Sequence, residues 1–150
     1  MRYCGRMSSA AVPLTVETRV RVRYAETDQM GVVYHANYFI WFEVGRVEYL
    51  RARGFSYRAM EQDDDCHIAV VDAQCRYKAP ARYDDWVVIR TRVARRRGPI
   101  LHFRYEALRE ADGLLLAVGE TVHVVLDKEF QPRRLPAKYH AGLDGQAVAP

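Results

Sequence analysis

The sequence predicts an α+β domain in which one antiparallel sheet curls around a single long helix, a hotdog-like arrangement. Three observations predict it: one strand pattern near the N-terminus, one helical pattern that is apolar on nearly every face, and four further strand patterns. A chain of 150 residues with 49% hydrophobic residues has the size of one domain with one core. We therefore expect a single domain over residues 1–150, with flexible tails at about 1–13 and 141–150.

The first predicted strand, residues 16–24, alternates in polarity. Its apolar and small positions share one side of the strand: Val16, Thr18, Val20, Val22 and Tyr24. The intervening positions are charged: Glu17, Arg19, Arg21 and Arg23. A period of two predicts a strand with one face buried and the other in solvent.

A helix is predicted from Tyr38, where the period of the pattern changes. Large or small core-type residues recur at helical spacing: Tyr38, Trp41, Phe42, Gly45, Tyr49 and Ala52. Gly54 lies where a C-terminal cap would fall. The other faces are also largely apolar, so we expect other structure to enclose the helix at the centre of the core. Gly45 predicts close approach of a neighbouring backbone on its face.

Four strand patterns follow a polar connection that contains Asp63, Asp64 and Asp65. They cover residues 71–78, 86–95, 101–107 and 114–126, and they alternate in polarity or are rich in β-branched residues. Turn signals separate them at Pro80, at residues 96–99 and at residues 111–113. Such short links favour an antiparallel meander over parallel βαβ units.

Charge and cysteine content exclude some classes of protein. The formal charge of +4 fits an anionic small ligand as well as nucleic acid and decides between neither. Three cysteines without CxxC spacing argue against a disulfide framework or a zinc site and favour a reducing compartment, with the cytoplasm as the default. Residues 1–14 lack the apolar run of a secretory signal, and no segment approaches the length of a membrane span.

The stretch YAETDQMGVVYHANYFIWFE, residues 24–43, places an acidic turn directly before the predicted helix. Asp28 is an acid that can activate water or attack a carbonyl carbon, but an Asp shortly before a Gly also commonly bonds its own turn. Its neighbour Glu26 is interpreted as a solvated acid of minor importance. His35 falls at the start of the helix, where backbone N–H groups lack intrahelical partners. On the residues alone both interpretations of Asp28 remain open.

The segments VRYAETDQMGVVYHANYFIWFE and CRYKAPARYDDW resemble the hotdog-fold acyl-CoA thioesterases of the 4-hydroxybenzoyl-CoA thioesterase superfamily, in particular the YbgC-like branch. The resemblance extends over roughly residues 18–136. It implies that two protomers join edge to edge into one continuous sheet, with two active sites at the dimer interface. Many members pair again into tetramers, so we expect a homodimer or a dimer of dimers.

The resemblance also implies the site residues. It aligns the catalytic acid with Asp28, as general base or nucleophile, and it aligns the main-chain amide that polarises the thioester carbonyl with His35, whose imidazole is implicated as well. The alternative for His35 and Asn37 is that they cap the helix. Tyr24 and Tyr34 are candidates for the acyl pocket, although aromatic residues at such positions are often part of the core. No metal or redox cofactor is expected, because coenzyme A is part of the substrate.

Coenzyme A carries phosphates, so basic residues are expected some distance from the acid. Arg95, Arg96 and Arg97 beside a turn are candidates, together with Arg76 and Lys78. A solvated hairpin tip is the alternative for these arginines. On the helix, Glu43 and Glu48 are interpreted as ion-pair partners of Arg46 and Arg51 at spacing i,i+3.

The leading functional hypothesis is an acyl-CoA thioesterase, acting on acyl-CoA or on an acyl-carrier protein and releasing a free acid and a thiol. A hotdog-fold dehydratase, acting at the β-carbon of the acyl group, is the second enzymatic alternative. A non-catalytic protein that binds acyl thioesters or nucleic acid through its basic face is the third. We expect no nucleic-acid partner, because the sequence contains no RNA- or DNA-binding motif.

Overall fold

A computed structural model describes residues 15–144 as five strands, three α-helices and two short 3-10 turns. The strands are β1 (Val16–Arg21), β2 (His67–Tyr77), β3 (Trp86–Arg97), β4 (Ile100–Arg109) and β5 (Leu115–Leu126). The helices are α1 (Asn37–Ala52), α2 (Tyr57–Asp64) and α3 (His140–Leu143). The 3-10 turns are Tyr24–Glu26 and Ala137–Tyr139. None of these helices is long and apolar enough to cross a membrane.

The strands form one antiparallel sheet in the order β1-β3-β4-β5-β2. The predicted meander is confirmed for β3, β4 and β5, whose connecting turns are short. Strands β1 and β2 are the two edges. Strand β2 is irregular, with a shift of register between Val70 and Asp72, and most of its side chains are exposed on both faces.

Helix α1 packs against the inner face of the sheet. Phe42 stacks on Tyr105 of β4, with ring centroids 4.5 Å apart and planes within 13°. Gly45 is closely packed, but against side chains of β3 and not against a neighbouring backbone as predicted: a Cβ there would lie 2.5 Å from Thr91 Oγ1. Gly54 has a φ of +81°, as expected of a glycine just after a helix end.

The expected enclosure of α1 is incomplete in the single chain. Ile40 and Val44 lie on its outer face and are 50% and 37% exposed. The inner face carries Tyr38, Trp41, Phe42, Tyr49 and Leu50, all nearly inaccessible to solvent. The helix is therefore buried on the side of the sheet and open on the other.

Two local predictions differ from the structure. Strand β1 ends at Arg21 rather than at Tyr24, which starts a 3-10 turn. The predicted polar connection instead contains helix α2, whose last residues are Asp63 and Asp64. The helix begins after Ser56, whose side chain accepts the amide of Ala59, and it buries Met60. The acids obscured this short amphipathic helix in the sequence.

The predicted tails lie largely outside the described residues: residues 1–13 entirely, and residues 145–150 of the C-terminal tail. The part from residue 141 to residue 144 is described, and it is not a frayed tail. It forms most of α3, and Leu143 is fully buried in the core.

Candidate active site

The segment that precedes α1 is a closed loop, residues 26–34, here called the acidic loop. Its ends pair in an antiparallel fashion: Tyr34 N donates to Glu26 O at 2.8 Å, and Thr27 forms a bridge with Val33. Further in, Asp28 N donates to Val32 O at 2.8 Å. Gly31, with a φ of +76°, supplies the left-handed conformation that the tip requires.

Asp28 lies near the tip of the acidic loop and is half-buried. Its Oδ1 accepts the amide of Met30 at 2.9 Å, and its carbonyl accepts the amide of Gly31 at 2.9 Å. The carboxylate therefore bonds its own turn. Because only Oδ1 takes part in this bond, Oδ2 remains available to a water molecule or a carbonyl carbon.

His35 lies two residues before the first residue of α1, near the helix start as predicted, but no side chain caps the helix. Ala36 occupies the N-cap position without a side-chain hydrogen bond, so the capping alternative for His35 and Asn37 is wrong. The amides of residues 37–39 donate to the carbonyls of residues 34–36. Within residues 15–144 the amides of His35 and Ala36 have no hydrogen-bond acceptor, which leaves two N–H donors at the leading turn.

The imidazole of His35 is exposed and lies among aromatic rings. Its centroid is 4.4 Å from that of Tyr34 and 6.2 Å from that of Tyr77. The hydroxyl of Tyr77, at the end of β2, donates to the carbonyl of His35 at 2.8 Å. Burial, together with the neighbouring Cys75 thiol, raises the pKa of Tyr77 to about 12, so this hydroxyl keeps its proton at neutral pH.

Glu26 was expected to be a solvated acid, and this expectation is wrong. The residue is only 4% exposed. Its carboxylate accepts Trp41 Nε1 at 3.0 Å and the amide of Arg23 at 2.8 Å, and it pairs with the Arg23 guanidinium at 3.2 Å. A carboxylate can be buried at low cost only when donors surround it, and single-sequence patterns do not show donors 15 residues away.

The other residues predicted to bind substrate near the acidic loop differ in their contacts and exposure. Asn37 donates its side-chain amide to Glu26 O at 2.9 Å, so it ties the acidic loop to the helix. Tyr34 is about half exposed beside His35. Tyr24 is largely exposed and packs edge-on against Tyr83, at 5.6 Å between centroids.

The predicted basic residues do not form one cluster. The acidic loop joins the sheet near the start of β3, where Val33 N donates to Ala81 O at 2.8 Å. Arg95, Arg96 and Arg97 lie at the other end of β3, about 30 Å away at roughly 3.3 Å per residue. Arg96 is paired there with Asp144.

Arg76 and Lys78 lie closer, on either side of Tyr77. Arg76 also lines a cavity of about 730 Å³ on the outer face of the sheet, together with Arg90, Arg92 and Arg104. The lining of this cavity includes neither Asp28 nor His35, so this cavity is separate from the acidic loop.

A buried polar network lies between α1 and the sheet, and no sequence pattern indicated it. Arg46 is only 7% exposed and donates to the hydroxyls of Tyr57 and Tyr105, so its expected ion pair with Glu43 is wrong. The hydroxyl of Tyr105 bonds Thr121 Oγ1 at 2.6 Å, which also contacts His123 Nε2 at 2.7 Å. Burial, reinforced by the charge of Arg46, lowers the pKa of His123 to about 3. The expected pair of Glu48 with Arg51 is present.

Comparison with known proteins places the chain among thioester hydrolases. A family model described as the thioesterase-like superfamily matches residues 22–143. The chain is 40% identical over 114 residues to the putative acyl-CoA thioesterase YneP of Bacillus subtilis, covering 75% of this chain and 81% of that protein. It is 38% identical over 118 residues to the acyl-CoA thioester hydrolase YbgC of Escherichia coli O6:H1, covering 78% and 87%. The solved structure of a DHNA-CoA thioesterase from Staphylococcus aureus superposes with a TM-score of 0.81 at 35% identity, covering 85% and 87%.

Proposed function

The chain belongs to the thioesterase-like superfamily and is an acyl-CoA thioester hydrolase, and we propose that Asp28 and the amide of His35 carry out its reaction. The observation that carries the proposal is the closed acidic loop: it holds a carboxylate with one uncommitted oxygen on the segment that leads directly into a helix start with uncapped amides. Both groups are close to the surface, where a thioester could reach them.

In the proposed reaction Asp28 supplies the base or nucleophile, and the amide of His35 stabilises the negative charge that develops on the carbonyl oxygen. Asp28 takes a proton from water while the water oxygen attacks the thioester carbon, or the carboxylate itself attacks and water then hydrolyses the resulting anhydride. The carbonyl oxygen becomes negative, and the N–H of His35 donates to it. Collapse of the intermediate breaks the C–S bond, and the sulfur leaves as a thiolate that takes up a proton.

We propose a homodimer that completes the site. The supporting observation is edge strand β2, where Val70 and Val71 are more than half exposed and the outer row of backbone groups has no partner strand within residues 15–144. Tyr77 of the same strand touches His35, so a partner strand added to β2 would lie beside the corner that carries the reaction. Such pairing would also bring a second chain toward the open face of α1 and complete its enclosure. A dimer of dimers is the next possible level of assembly.

For the coenzyme A phosphates we propose Arg76 and Lys78 as the first contacts. They flank Tyr77, whose hydroxyl bonds the carbonyl of His35, so they are the predicted basic residues nearest to the proposed oxyanion donor. Arg95, Arg96 and Arg97 would contribute only to a site that a partner chain completes, because they lie at the opposite end of β3. Tyr24 and Tyr34 remain proposed contacts of the acyl group.

We propose acyl-CoA rather than an acyl-carrier protein as the substrate, since the names of the two close relatives specify acyl-CoA. The reaction is proposed to need no metal or redox cofactor and to take place in the cytoplasm. Neither the dehydratase nor the nucleic-acid alternative gains a supporting observation, because the relatives named above are thioester hydrolases.

The test is thiol release from a panel of acyl-CoA substrates, measured with a chromogenic thiol reagent. Asp28→Asn keeps the size of the side chain and an oxygen for the Met30 amide but removes the base, so kcat should fall by about 10²–10⁴-fold. Asp63→Asn, an exposed acid of α2, is the matched control and should keep wild-type kcat.

Near-normal turnover by Asp28→Asn would contradict the assignment of the acid. Conversion of a β-hydroxyacyl-CoA to the enoyl-CoA without thiol release would contradict the hydrolysis and favour the dehydratase. His35→Ala should lose less activity than Asp28→Asn, because the main-chain donor survives the substitution.

A further inference from the structure

Glu26 is a buried carboxylate whose contacts all involve the acidic loop, the segment just before it, or α1. It lies two residues before Asp28, at the end of the 3-10 turn, and is almost inaccessible to solvent. It is too enclosed to contact a substrate directly. Any effect of Glu26 on the reaction must therefore pass through the residues that it binds.

The side chain of Glu26 binds one residue on each side, Trp41 and Arg23. On the helix side, Oε1 accepts the indole N–H of Trp41, a donor-only group that is itself 2% exposed. On the strand side, Oε2 accepts the amide of Arg23, and Oε1 pairs with the exposed Arg23 guanidinium. Hydrogen bonds to an ionised acceptor are about twice as strong as neutral ones, so this carboxylate firmly links helix α1 to the segment that follows strand β1.

The backbone carbonyl of Glu26 also links the acidic loop to helix α1. Its carbonyl accepts the amide of Tyr34, which closes the acidic loop, and the side chain of Asn37, the first residue of α1. One residue thus fixes the beginning of the loop, the end of the loop and the start of the helix. Asp28 lies inside this closed segment, and the free amide of His35 follows its last residue.

We propose that Glu26, held by Trp41, is a positioning residue that sets the Asp28 carboxylate relative to the His35 amide. The inference rests on the proposed function, because it assumes that these two groups react. Displacement of a reacting group by about 1 Å can cost on the order of 10²-fold in rate, so a link of this kind acts on kcat. Substrate contacts are unchanged, so KM should stay nearly constant.

The sharpest test is Trp41→Phe, which keeps an aromatic ring in the core and removes the N–H donor. We expect kcat for thiol release to fall about tenfold with KM within about twofold, while the protein still unfolds cooperatively. Glu26→Gln keeps an oxygen for Trp41, whereas Glu26→Leu keeps only the approximate volume. The expected order of kcat is therefore wild type, then Glu26→Gln, then Glu26→Leu.

The Glu26→Gln/Trp41→Phe double variant should lose less than the product of the two single losses, because both changes weaken one link. Glu43→Gln, an exposed acid on α1, is the control and should retain wild-type kcat and KM. Wild-type kcat in Trp41→Phe would overturn the inference, and so would loss of its folded state, since the bond would then serve the fold alone.

The two proposals fail in different ways. If Asp28→Asn is fully active, the proposed role of that acid falls, whatever the Glu26 variants do. If Asp28→Asn is inactive while Trp41→Phe and Glu26→Leu keep normal kcat, the positioning role of Glu26 alone is overturned.

Discussion

The acidic loop and the interface between α1 and the sheet are held by different kinds of contact, although the same helix takes part in both. The interface is held by close apolar packing, as where Phe42 stacks on Tyr105 and Gly119 leaves room for the ring. The loop is held by a few hydrogen bonds, chiefly those of Glu26 and Tyr77. Side-chain changes in the interface should therefore lower stability, whereas changes around the loop should lower kcat in a protein that remains folded.

The largest expected effect on stability is at Gly119 in β5. A Cβ at this position would lie 2.2 Å from Cε2 of Phe42, whose ring is also stacked on Tyr105, so a branched side chain would disrupt this packing. We expect Gly119→Val to lower the free energy of unfolding by about 3 kcal/mol or more, measured by urea denaturation. Val118 directly precedes Gly119 and faces the opposite side of the sheet. Val118→Ala should therefore change the free energy of unfolding by less than about 1 kcal/mol. Equal stability of the two variants would show that packing at this point is loose.

The next effect concerns the buried polar network, which lies within the packed interface. His123 has a folded pKa near 3, because burial disfavours its charged form, whereas the unfolded side chain titrates near 6.5. Below about pH 6.5 the unfolded state binds the additional proton, so stability falls by up to about 1.4 kcal/mol per pH unit until the pH approaches 3.

Urea denaturation at several pH values between 7 and 4 measures this slope. His123→Leu removes the buried imidazole and should flatten the slope, even if its stability at pH 7 is lower. Val118→Ala, which removes no titratable group, is the control and should keep the slope of the wild type. An unchanged slope in His123→Leu would assign the acid sensitivity to other groups.

Tyr77 tests the loop side of the comparison. Tyr77→Phe removes only the hydroxyl that donates to the carbonyl of His35. We expect kcat to fall by about three- to tenfold, and the free energy of unfolding to change by no more than about 1 kcal/mol, as for a typical single hydrogen bond. Because the pKa of Tyr77 is about 12, the wild-type tether should persist throughout the alkaline range of the assay. Tyr83→Phe, an exposed tyrosine, is the control, and a stability loss without a kcat loss in Tyr77→Phe would contradict the comparison.

The same division explains how much the sequence could predict. The polarity patterns gave the five strands, their antiparallel order within the meander and the main helix, because each depends on the period of apolar residues. The family was also recognisable, since the residues of the acidic loop are contiguous in the chain. Helix α2 was missed because its eight residues include several acids and only Met60 is buried.

What the sequence could not predict are contacts between side chains that are distant in the chain. Glu26 looks solvated until Trp41 is placed beside it, and Arg46 looks like a surface ion-pair residue until Tyr57 and Tyr105 surround it. Such polar pairs follow no period, because they depend on the crossing of two elements. The distance between Arg95 and the acidic loop could not be predicted for the same reason, because residue spacing does not show that β3 runs away from the loop.

The smallest expected effect comes from a third kind of contact, the exposed ion pair of Glu48 and Arg51 on the outer part of α1. Both side chains are substantially solvated, so their attraction is screened by water and salt and is opposed by the entropy of ordering two long side chains. We expect Glu48→Gln to change the free energy of unfolding by less than about 0.5 kcal/mol and to leave kcat unchanged. A loss above about 1 kcal/mol in urea denaturation would mean that this face of α1 is desolvated in solution, as contact with a second chain would make it. Dependence of that loss on protein concentration would then identify the cause, because only an assembly is stabilised by mass action.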